Sequence, residues 1–222
     1  MDNYQAFIDR RHAGRVLASR LTKYAGRDDV IVLALPRGGV PVAYEVASAL
    51  GARMDVFLVR KLGTPGHREL AMGAIATGDV RVLNEDVVRG YGISEAAIER
   101  VVSEEQEELA RRERAYRDDR QAPDLANRVV ILVDDGLATG STMRAAAHAV
   151  RVHRPARVII AVPVGASQTC AELAATADEV ICANTPEPFS AVGQWYLNFD
   201  QTDDDEVRDL LRKSTTTPQA HR

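Results

Sequence analysis

The sequence predicts an α/β protein with a mostly parallel sheet flanked by helices. Three short apolar runs rich in β-branched residues support this prediction, at residues 30–35, 129–133 and 158–162, with a weaker fourth at 56–59. The runs do not alternate between apolar and polar residues, as is typical of strands that are covered on both faces. Helical patterns follow several runs, and this alternation of strand and helix favours parallel pairing.

Predicted helices cover residues 7–21, 41–50, 142–152 and 168–177. The second has Pro41 near its start and Gly51 just past its end, the usual arrangement of these residues at helix boundaries. The third places four apolar side chains on one side at helical spacing: Met143, Ala146, Ala147 and Val150.

The composition is that of an ordinary globular protein. The 222 residues are 45% apolar and 27% charged, which predicts one globular domain, assigned to residues 1–213. The C-terminal residues 214–222 are predicted to form a disordered tail. A net charge of -4 argues against nucleic acid or an anionic membrane as partner. The polar N-terminus, the short apolar runs and only two cysteines, Cys170 and Cys182, predict a cytoplasmic protein without a disulfide framework.

The middle of the chain has a different character. Residues 63–77 are rich in glycine, proline and polar residues, which predicts a mobile loop. Residues 94–120 predict a long charged helix, supported by pairs four residues apart such as Glu108 with Arg112 and Glu107 with Arg111. Its thin apolar stripe consists of Ile98, Val102, Leu109 and Tyr116. The helix is either a solvated arm or a dimer element, and its charge favours the arm.

The segment with the clearest chemical meaning is residues 129–143. A buried strand leads directly into Asp134 and Asp135, called here the acidic pair, and then into a turn of small residues before a helix. In open α/β sheets ligands bind at the carboxyl ends of strands, and the start of a helix offers amide donors to an anion. Thr139, Ser141 and Thr142 add hydroxyl donors. Carboxylates beside an anion site suit a ligand that also carries hydroxyls or brings Mg²⁺, as a sugar phosphate does.

Other interpretations of these segments fit less of the pattern. An Asp-Asp-Gly turn with Ser141 or Thr142 capping a helix is ordinary turn chemistry. A Walker P-loop requires a lysine after the second glycine, which is absent. Gly38 and Gly39 lack the spacing of a dinucleotide fingerprint.

Residues 129–143 resemble the phosphoribosyl pyrophosphate (PRPP) signature of type I phosphoribosyltransferases: four or five apolar residues, two acids, a short spacer and Thr-Gly-x-Thr. The similarity extends from about residue 7 to about residue 211. It implies that Asp134 and Asp135 are catalytic residues holding the ribose 2′- and 3′-hydroxyls. It also implies that a small-residue turn wraps the 5-phosphate, formed by Ala138, Thr139, Gly140, Ser141 and Thr142.

A second element of the resemblance is Leu35-Pro-Arg-Gly-Gly39, called here the glycine loop. In the family, the loop after the first strand binds pyrophosphate, which assigns this role to Arg37, Gly38 and Gly39, with Arg37 also catalytic. Glycines let a backbone approach phosphate closely, and arginine offers paired donors. A basic residue near the pyrophosphate corresponds to Lys61. A plain strand-to-helix turn and an ordinary surface lysine are the alternatives.

The resemblance implies an enzyme of nucleotide metabolism that uses PRPP and Mg²⁺. A nitrogen of a nucleobase or similar acceptor would attack C1 of the ribose while pyrophosphate leaves. Relatives that act on 6-oxopurines often have an aspartate where this chain has Ala138, so a general base comes from elsewhere or is absent. Dimers are common among relatives, so a homodimer is expected.

The acceptor site of the family lies under a hood, predicted here from residues of about 1–26 and 185–212. The aromatic side chains of Phe189, Trp195, Tyr196 and Phe199 could stack a base, or they could pack the hood on the core. Two other functions remain open: a regulatory protein that senses PRPP or a nucleotide in the same pocket, and, more weakly, a hydrolase or phosphatase with Asp134 as nucleophile.

Overall fold

The computed structural model describes residues 5–117 and 121–216. In chain order the strands are β1 (Val30–Ala34), β2 (Arg53–Val56), β3 (Val59–Thr64), β4 (His67–Ala76), β5 (Val80–Leu83), β6 (Val129–Val133), β7 (Arg157–Val164) and β8 (Glu179–Asn184). The α-helices are α1 (Arg10–Ser19), α2 (Gly39–Leu50), α3 (Glu85–Gly90), α4 (Glu95–Arg117), α5 (Ser141–Val152), α6 (Ser167–Leu173) and α7 (Asp204–Thr216).

The central sheet confirms the predicted fold class. Its five strands run parallel in the order β2-β1-β6-β7-β8. Helices α1, α2 and α7 pack on one side of this sheet, and α5 and α6 pack on the other. The carboxyl ends of β1 and β6, which are neighbours, therefore lie side by side, and the glycine loop and the acidic pair follow them.

The two faces of the sheet explain the continuous apolar runs. Alternate residues of each strand enter opposite hydrophobic clusters: in β1, Val32 faces one cluster and Leu33 the other. In β6, Ile131 and Leu132 divide in the same way. Every residue of these two strands is buried. Both faces must therefore be apolar, as the sequence predicted.

Two expectations for the middle of the chain were wrong. The run at 56–59 is not one strand, because β2 ends at Val56 and β3 begins at Val59 in a second, antiparallel sheet of order β3-β4-β5. Residues 63–77, predicted as a mobile loop, form the end of β3, the turn and strand β4. Glycine and proline mark that tight turn, where Gly66 has a φ of 79°, but the flanking residues pair as strands.

Helix α4 confirms the predicted long helix and its apolar stripe, which is buried. It packs against β3, β4 and α7, so it is part of the domain and not a solvated arm. Arg111 and Arg112 both pair with Glu108, and the structure gives no pair between Arg111 and Glu107. Residues 118–120 of the predicted helix lie outside the described part of the chain.

The chain ends meet beside the carboxyl edge of the sheet. The Phe7 N–H donates to the Trp195 carbonyl (2.8 Å), and the Leu197 N–H donates to the Phe7 carbonyl (2.8 Å). Helix α7 continues to Thr216, so residues 214–216 are helical and not a disordered tail. The remaining predicted tail, 217–222, lies outside the described residues.

The structure joins the two cysteines, although the sequence predicted no disulfide framework. Cys170 in α6 and Cys182 in β8 are bonded, with their Cα atoms 6.8 Å apart. Their spacing in the sequence matched no metal motif, but it did not reveal that the two elements pack together. Within the described residues no helix is long and apolar enough to cross a membrane.

Candidate functional site

The acidic pair begins where β6 ends. Asp134 Oδ1 accepts a hydrogen bond from the Asp135 N–H (2.9 Å). Asp135 Oδ2 accepts one from Arg10 Nε (2.9 Å). Within the described residues, Asp134 Oδ2 and Asp135 Oδ1 have no hydrogen-bond partner. Each carboxyl group therefore keeps one acceptor oxygen open, on two adjacent residues.

Burial dominates the electrostatics of this pair. Burial raises the pKa of Asp134 well above its ordinary value, and the neighbouring Asp135 raises it further. Burial also raises the pKa of Asp135, although the Arg10 guanidinium opposes that rise. The fold thus holds two carboxyl groups in a place that disfavours their charge, which is typical of sites that a ligand completes.

The glycine loop packs directly against the acidic pair. A Cβ atom on Gly39 would lie 2.7 Å from the Val133 carbonyl oxygen and 2.9 Å from Asp134 Cα. A Cβ atom on Gly38 would overlap Asp135 Oδ2. The peptide bond between Pro36 and Arg37 is cis. No other amino acid fits at positions 38 and 39 without a shift of the loop or the acids.

Arg37 leaves the glycine loop towards the start of α7. Its Nη1 lies 3.7 Å from Asp204 Oδ1, and its side chain is partly exposed. The Tyr116 hydroxyl donates to the same Asp204 oxygen (2.7 Å), and this hydrogen bond lowers the pKa of Asp204. Arg37 is therefore paired with a carboxylate of α7 in this structure.

The small-residue turn ends in an uncapped helix. Gly140, the N-cap residue of α5, adopts a φ of 68° and has no side chain to cap the first turn of this helix. Ser141 and Thr142 are thus not the capping residues of the plain-turn interpretation. The hydroxyls of Thr139 and Ser141 lie 3.2 Å apart at the exposed start of α5. The Ser141 N–H makes a long contact to Thr139 Oγ1 (3.5 Å), so amide groups and hydroxyls converge there, as an anion requires.

Neighbouring elements hold this turn in place. Thr169 in α6 is buried, and its hydroxyl donates to the Ala138 carbonyl (2.7 Å). Its methyl group leaves no room for a side chain on Gly140, where a Cβ atom would lie 2.7 Å away. The Leu137 N–H donates to the Val164 carbonyl at the end of β7 (2.9 Å). The turn is therefore fixed before any ligand binds.

The hood aromatics pack together and do not all face a ligand. Tyr196 is buried between Phe7 and Phe199, with ring centroids 5.5 and 4.9 Å away. Its hydroxyl donates to the Asp135 carbonyl (2.5 Å), and burial raises its pKa so that it remains a donor. Tyr196 thus supports the acidic pair instead of stacking a base. Phe189 and Trp195 are half-buried beside the same cluster.

Comparison with known proteins identifies the family. Residues 3–199 match the model of the phosphoribosyl transferase domain. The chain belongs to this family. The resemblance to type I phosphoribosyltransferases that residues 129–143 carried is thereby confirmed.

Similar proteins support the assignment to the phosphoribosyltransferase family. A Mycobacterium tuberculosis (strain H37Rv) protein named "Putative phosphoribosyl transferase Rv0571c" is 51% identical over 208 residues, covering 94% of this chain and 47% of that protein. The chain thus spans about half the length of that relative. The "Bifunctional protein PyrR" of Clostridium novyi is 27% identical over 156 residues, covering 70% of this chain and 68% of that protein.

A solved structure shares the whole fold of this phosphoribosyltransferase domain. The crystal structure of TT1426 from Thermus thermophilus superposes with a TM-score of 0.86 at 42% identity. The match covers 94% of this chain and 99% of that chain.

Two residues of the candidate site were not predicted from the sequence, and one predicted residue lies apart from it. Arg10 contacts Asp135 from α1, and Thr169 holds the small-residue turn from α6. One feature of the sequence indicated that Arg10 faces the site: this charged residue lies on the same side of the helix as the apolar Ala13 and Leu17. Lys61 lies in β3, exposed, and its Nζ is 3.8 Å from Glu69 Oε2 in the same hairpin. The structure does not bring Lys61 to the acidic pair.

Asp134→Asn is expected to stabilise the free protein at neutral pH. The pKa of Asp134 in the folded protein is raised above its ordinary 3.8, so folding favours the protonated acid. The contribution of Asp134 to the free energy of unfolding is therefore largest below pH 3.8 and is lost as the pH rises through the folded pKa. Asparagine keeps the hydrogen bond from Asp135 without that loss. We expect a gain on the order of 1 kcal/mol at pH 7, or about 2–4 °C in Tm, shrinking towards pH 3.5. A lower Tm of the variant at pH 7 would contradict the burial argument.

Proposed function

We propose that the protein transfers ribose 5-phosphate from PRPP to a nitrogen of a nucleobase or similar acceptor and releases pyrophosphate. One observation supports this most: the acidic pair keeps two carboxylate oxygens without a hydrogen-bond partner among the described residues, and the same loop leads through the small-residue turn into the start of α5. Two adjacent acceptors suit a pair of neighbouring hydroxyls, and a ring of amide donors suits a phosphate. A phosphorylated pentose offers both groups.

The 5-phosphate would bind the small-residue turn, Ala138–Thr142. The amide groups at the start of α5 and the hydroxyls of Thr139, Ser141 and Thr142 would donate to its oxygens. Because these groups are already in place, binding costs little reorganisation. The ribose 2′- and 3′-hydroxyls would then meet Asp134 Oδ2 and Asp135 Oδ1.

Thr169→Val is expected to weaken binding of ribose 5-phosphate by roughly three- to ten-fold, since the Ala138 carbonyl loses its donor and the turn loosens. Calorimetric titration measures this. Thr176→Val is the matched control, because the Thr176 hydroxyl makes the same type of bond to the Leu173 carbonyl at the end of α6. We expect the control to keep its affinity. Equal affinities for both variants would refute the role of Thr169.

Pyrophosphate would bind the backbone of the glycine loop, which the missing side chains of Gly38 and Gly39 let pack directly against the acidic pair. Arg37 would leave Asp204 and pair with the departing charge. Lys61 would contribute only if the β3–β4 hairpin moved towards the site. Because the glycine loop contacts the acidic pair, the pyrophosphate and the ribose would be held in adjacent positions.

Mg²⁺ fits this site as a substrate-bound ion. Within the described residues no group of three or more His, Cys, Asp or Glu side chains could hold a metal. Mg²⁺ in such sites takes most of its ligands from substrate phosphates and water. Asp134 and Asp135 would reach the ion through water, because their open oxygens would hold the ribose hydroxyls, and the charge of the ion would stabilise departing pyrophosphate.

In the reaction, the bond between C1 and the pyrophosphate oxygen breaks with its electrons leaving on pyrophosphate, and a C1–N bond forms. The acceptor nitrogen releases its proton to solvent or to a base. Ala138 offers no base at the position used by 6-oxopurine relatives. The residues of the site therefore act by positioning and electrostatics.

The deciding experiment measures pyrophosphate release from PRPP and Mg²⁺ against a panel of purines, pyrimidines and small amines. We expect release that depends on one acceptor and is lost in Asp134→Asn/Asp135→Asn. Tight PRPP binding without release across the panel would reject the transferase and favour the PRPP-sensing alternative. An absence of PRPP binding would reject both.

A further inference from the structure

Arg10 is the one cation in hydrogen-bond contact with the acidic pair among the described residues. It stands at the first position of α1, whose start is fixed by Asp9, the acceptor of a hydrogen bond from the His12 N–H (2.7 Å). Its side chain is only 12% exposed, far less than Arg11 and Arg15 of the same helix. An arginine so covered is held by specific contacts.

Three contacts fix the Arg10 guanidinium. Its Nε donates to Asp135 Oδ2 (2.9 Å), its Nη1 donates to the Asp200 carbonyl (2.6 Å), and its Cζ lies 4.0 Å above the Phe199 ring. Asp200 and Phe199 belong to the C-terminal part of the hood. Arg10 thus connects both chain ends to the acid that would hold ribose.

The contacts determine which Asp135 oxygen faces a ligand. Arg10 occupies Oδ2, Gly38 packs against the same oxygen, and the Tyr196 hydroxyl holds the Asp135 carbonyl. The carboxyl group cannot rotate freely while these contacts persist, so Oδ1 stays open.

We propose that Arg10 is a positioning residue for ribose recognition: it orients Asp135 so that one carboxylate oxygen is presented to a sugar hydroxyl, and it makes that orientation depend on the docked hood. This inference rests on the proposed function. Arg10 needs no contact with the pyrophosphate, which would lie at the glycine loop on Arg37 and the loop amides. The role therefore predicts a selective effect on ligands that contain ribose.

The test uses three variants of the full chain and three probes. Arg10→Gln removes the charge, and Arg10→Lys keeps the charge but lacks the planar guanidinium whose separate nitrogens bond Asp135 and Asp200. Arg11→Gln is the matched control, because Arg11 is on the same helix, pairs with Glu45 and lies away from the acids. The probes for calorimetric titration are PRPP with Mg²⁺, ribose 5-phosphate, and inorganic pyrophosphate with Mg²⁺.

We expect Arg10→Gln to weaken the binding of PRPP and of ribose 5-phosphate by about ten-fold. A loss of about this order is expected when a half-buried acid loses its charged partner. Arg10→Lys should weaken the binding of both ligands less, and pyrophosphate binding should stay unchanged in both variants. Arg11→Gln should match the wild type with every probe. If Arg10→Gln does not fold, Arg10→Lys gives the same comparison between ribose ligands and pyrophosphate.

Two results would overturn the role of Arg10 while leaving the proposed function intact: unchanged ribose 5-phosphate affinity in both Arg10 variants, or an equal loss of pyrophosphate affinity, which would make Arg10 a pyrophosphate ligand. Failure of the wild type to bind either ribose probe would instead refute the proposed function, and this inference with it.

Discussion

Asp134→Asn/Asp135→Asn is expected to remove PRPP binding in the presence of Mg²⁺, a loss of at least about 100-fold. Each substitution replaces a charged acceptor by a neutral amide, and the two together remove the charge that would hold a metal-bound sugar. The local backbone conformation should be retained, because the amide introduced at position 134 still has a side-chain oxygen to accept the hydrogen bond from the N–H of residue 135. Calorimetric titration at neutral pH measures the loss.

Asp28→Asn is the matched control for the acid variants. Asp28 is an exposed aspartate just before β1, at the edge of the sheet opposite to the acidic pair. The control should bind PRPP like the wild type. If the folded double variant bound PRPP with wild-type affinity, the acidic pair would not be part of the PRPP site.

Gly39→Ala is expected to lower the free energy of unfolding by about 1–3 kcal/mol and to abolish binding of pyrophosphate with Mg²⁺. The new methyl group would lie within 3.0 Å of the Val133 carbonyl oxygen and of Asp134 Cα, which are backbone atoms of the sheet and cannot swing aside. The loop must move, and the acidic pair must move with it. Denaturant titration and calorimetry measure the two effects.

Gly90→Ala separates the crowding at Gly39 from the general effect of losing a glycine. Nothing lies within 4 Å of a Cβ atom at Gly90, the last residue of α3. Alanine there should leave stability within about 1 kcal/mol of the wild type, or raise it slightly. If Gly39→Ala behaved like this control and bound pyrophosphate normally, the close packing of loop and acids would carry no function.

The parts of the site that lie close in sequence were predictable. Residues 129–143 run through strand, acids, turn and helix, and each local signal agrees with the next. The glycine loop was found for the same reason, because it follows a strand and precedes α2. Parallel pairing of β1 with β6 then brings these two segments together.

The remaining parts depend on contacts between distant residues. Arg10 and Asp135 are 125 positions apart, and no local pattern announces their bond. Residues 63–77 looked like a loop because glycine and proline usually mark turns, whereas strand pairing decides their structure. For Tyr196 the sequence left open whether the ring stacks a base or packs the hood on the core, and the contact with Phe7 from the other chain end is of the second kind.

A crystal structure of the protein with PRPP and Mg²⁺ tests the central claim most directly. We expect the 5-phosphate on the amide groups and hydroxyls of Thr139, Ser141 and Thr142, and the two ribose hydroxyls on Asp134 Oδ2 and Asp135 Oδ1. Binding of PRPP at any other place, with both acids still bonded only to the protein, would contradict the account.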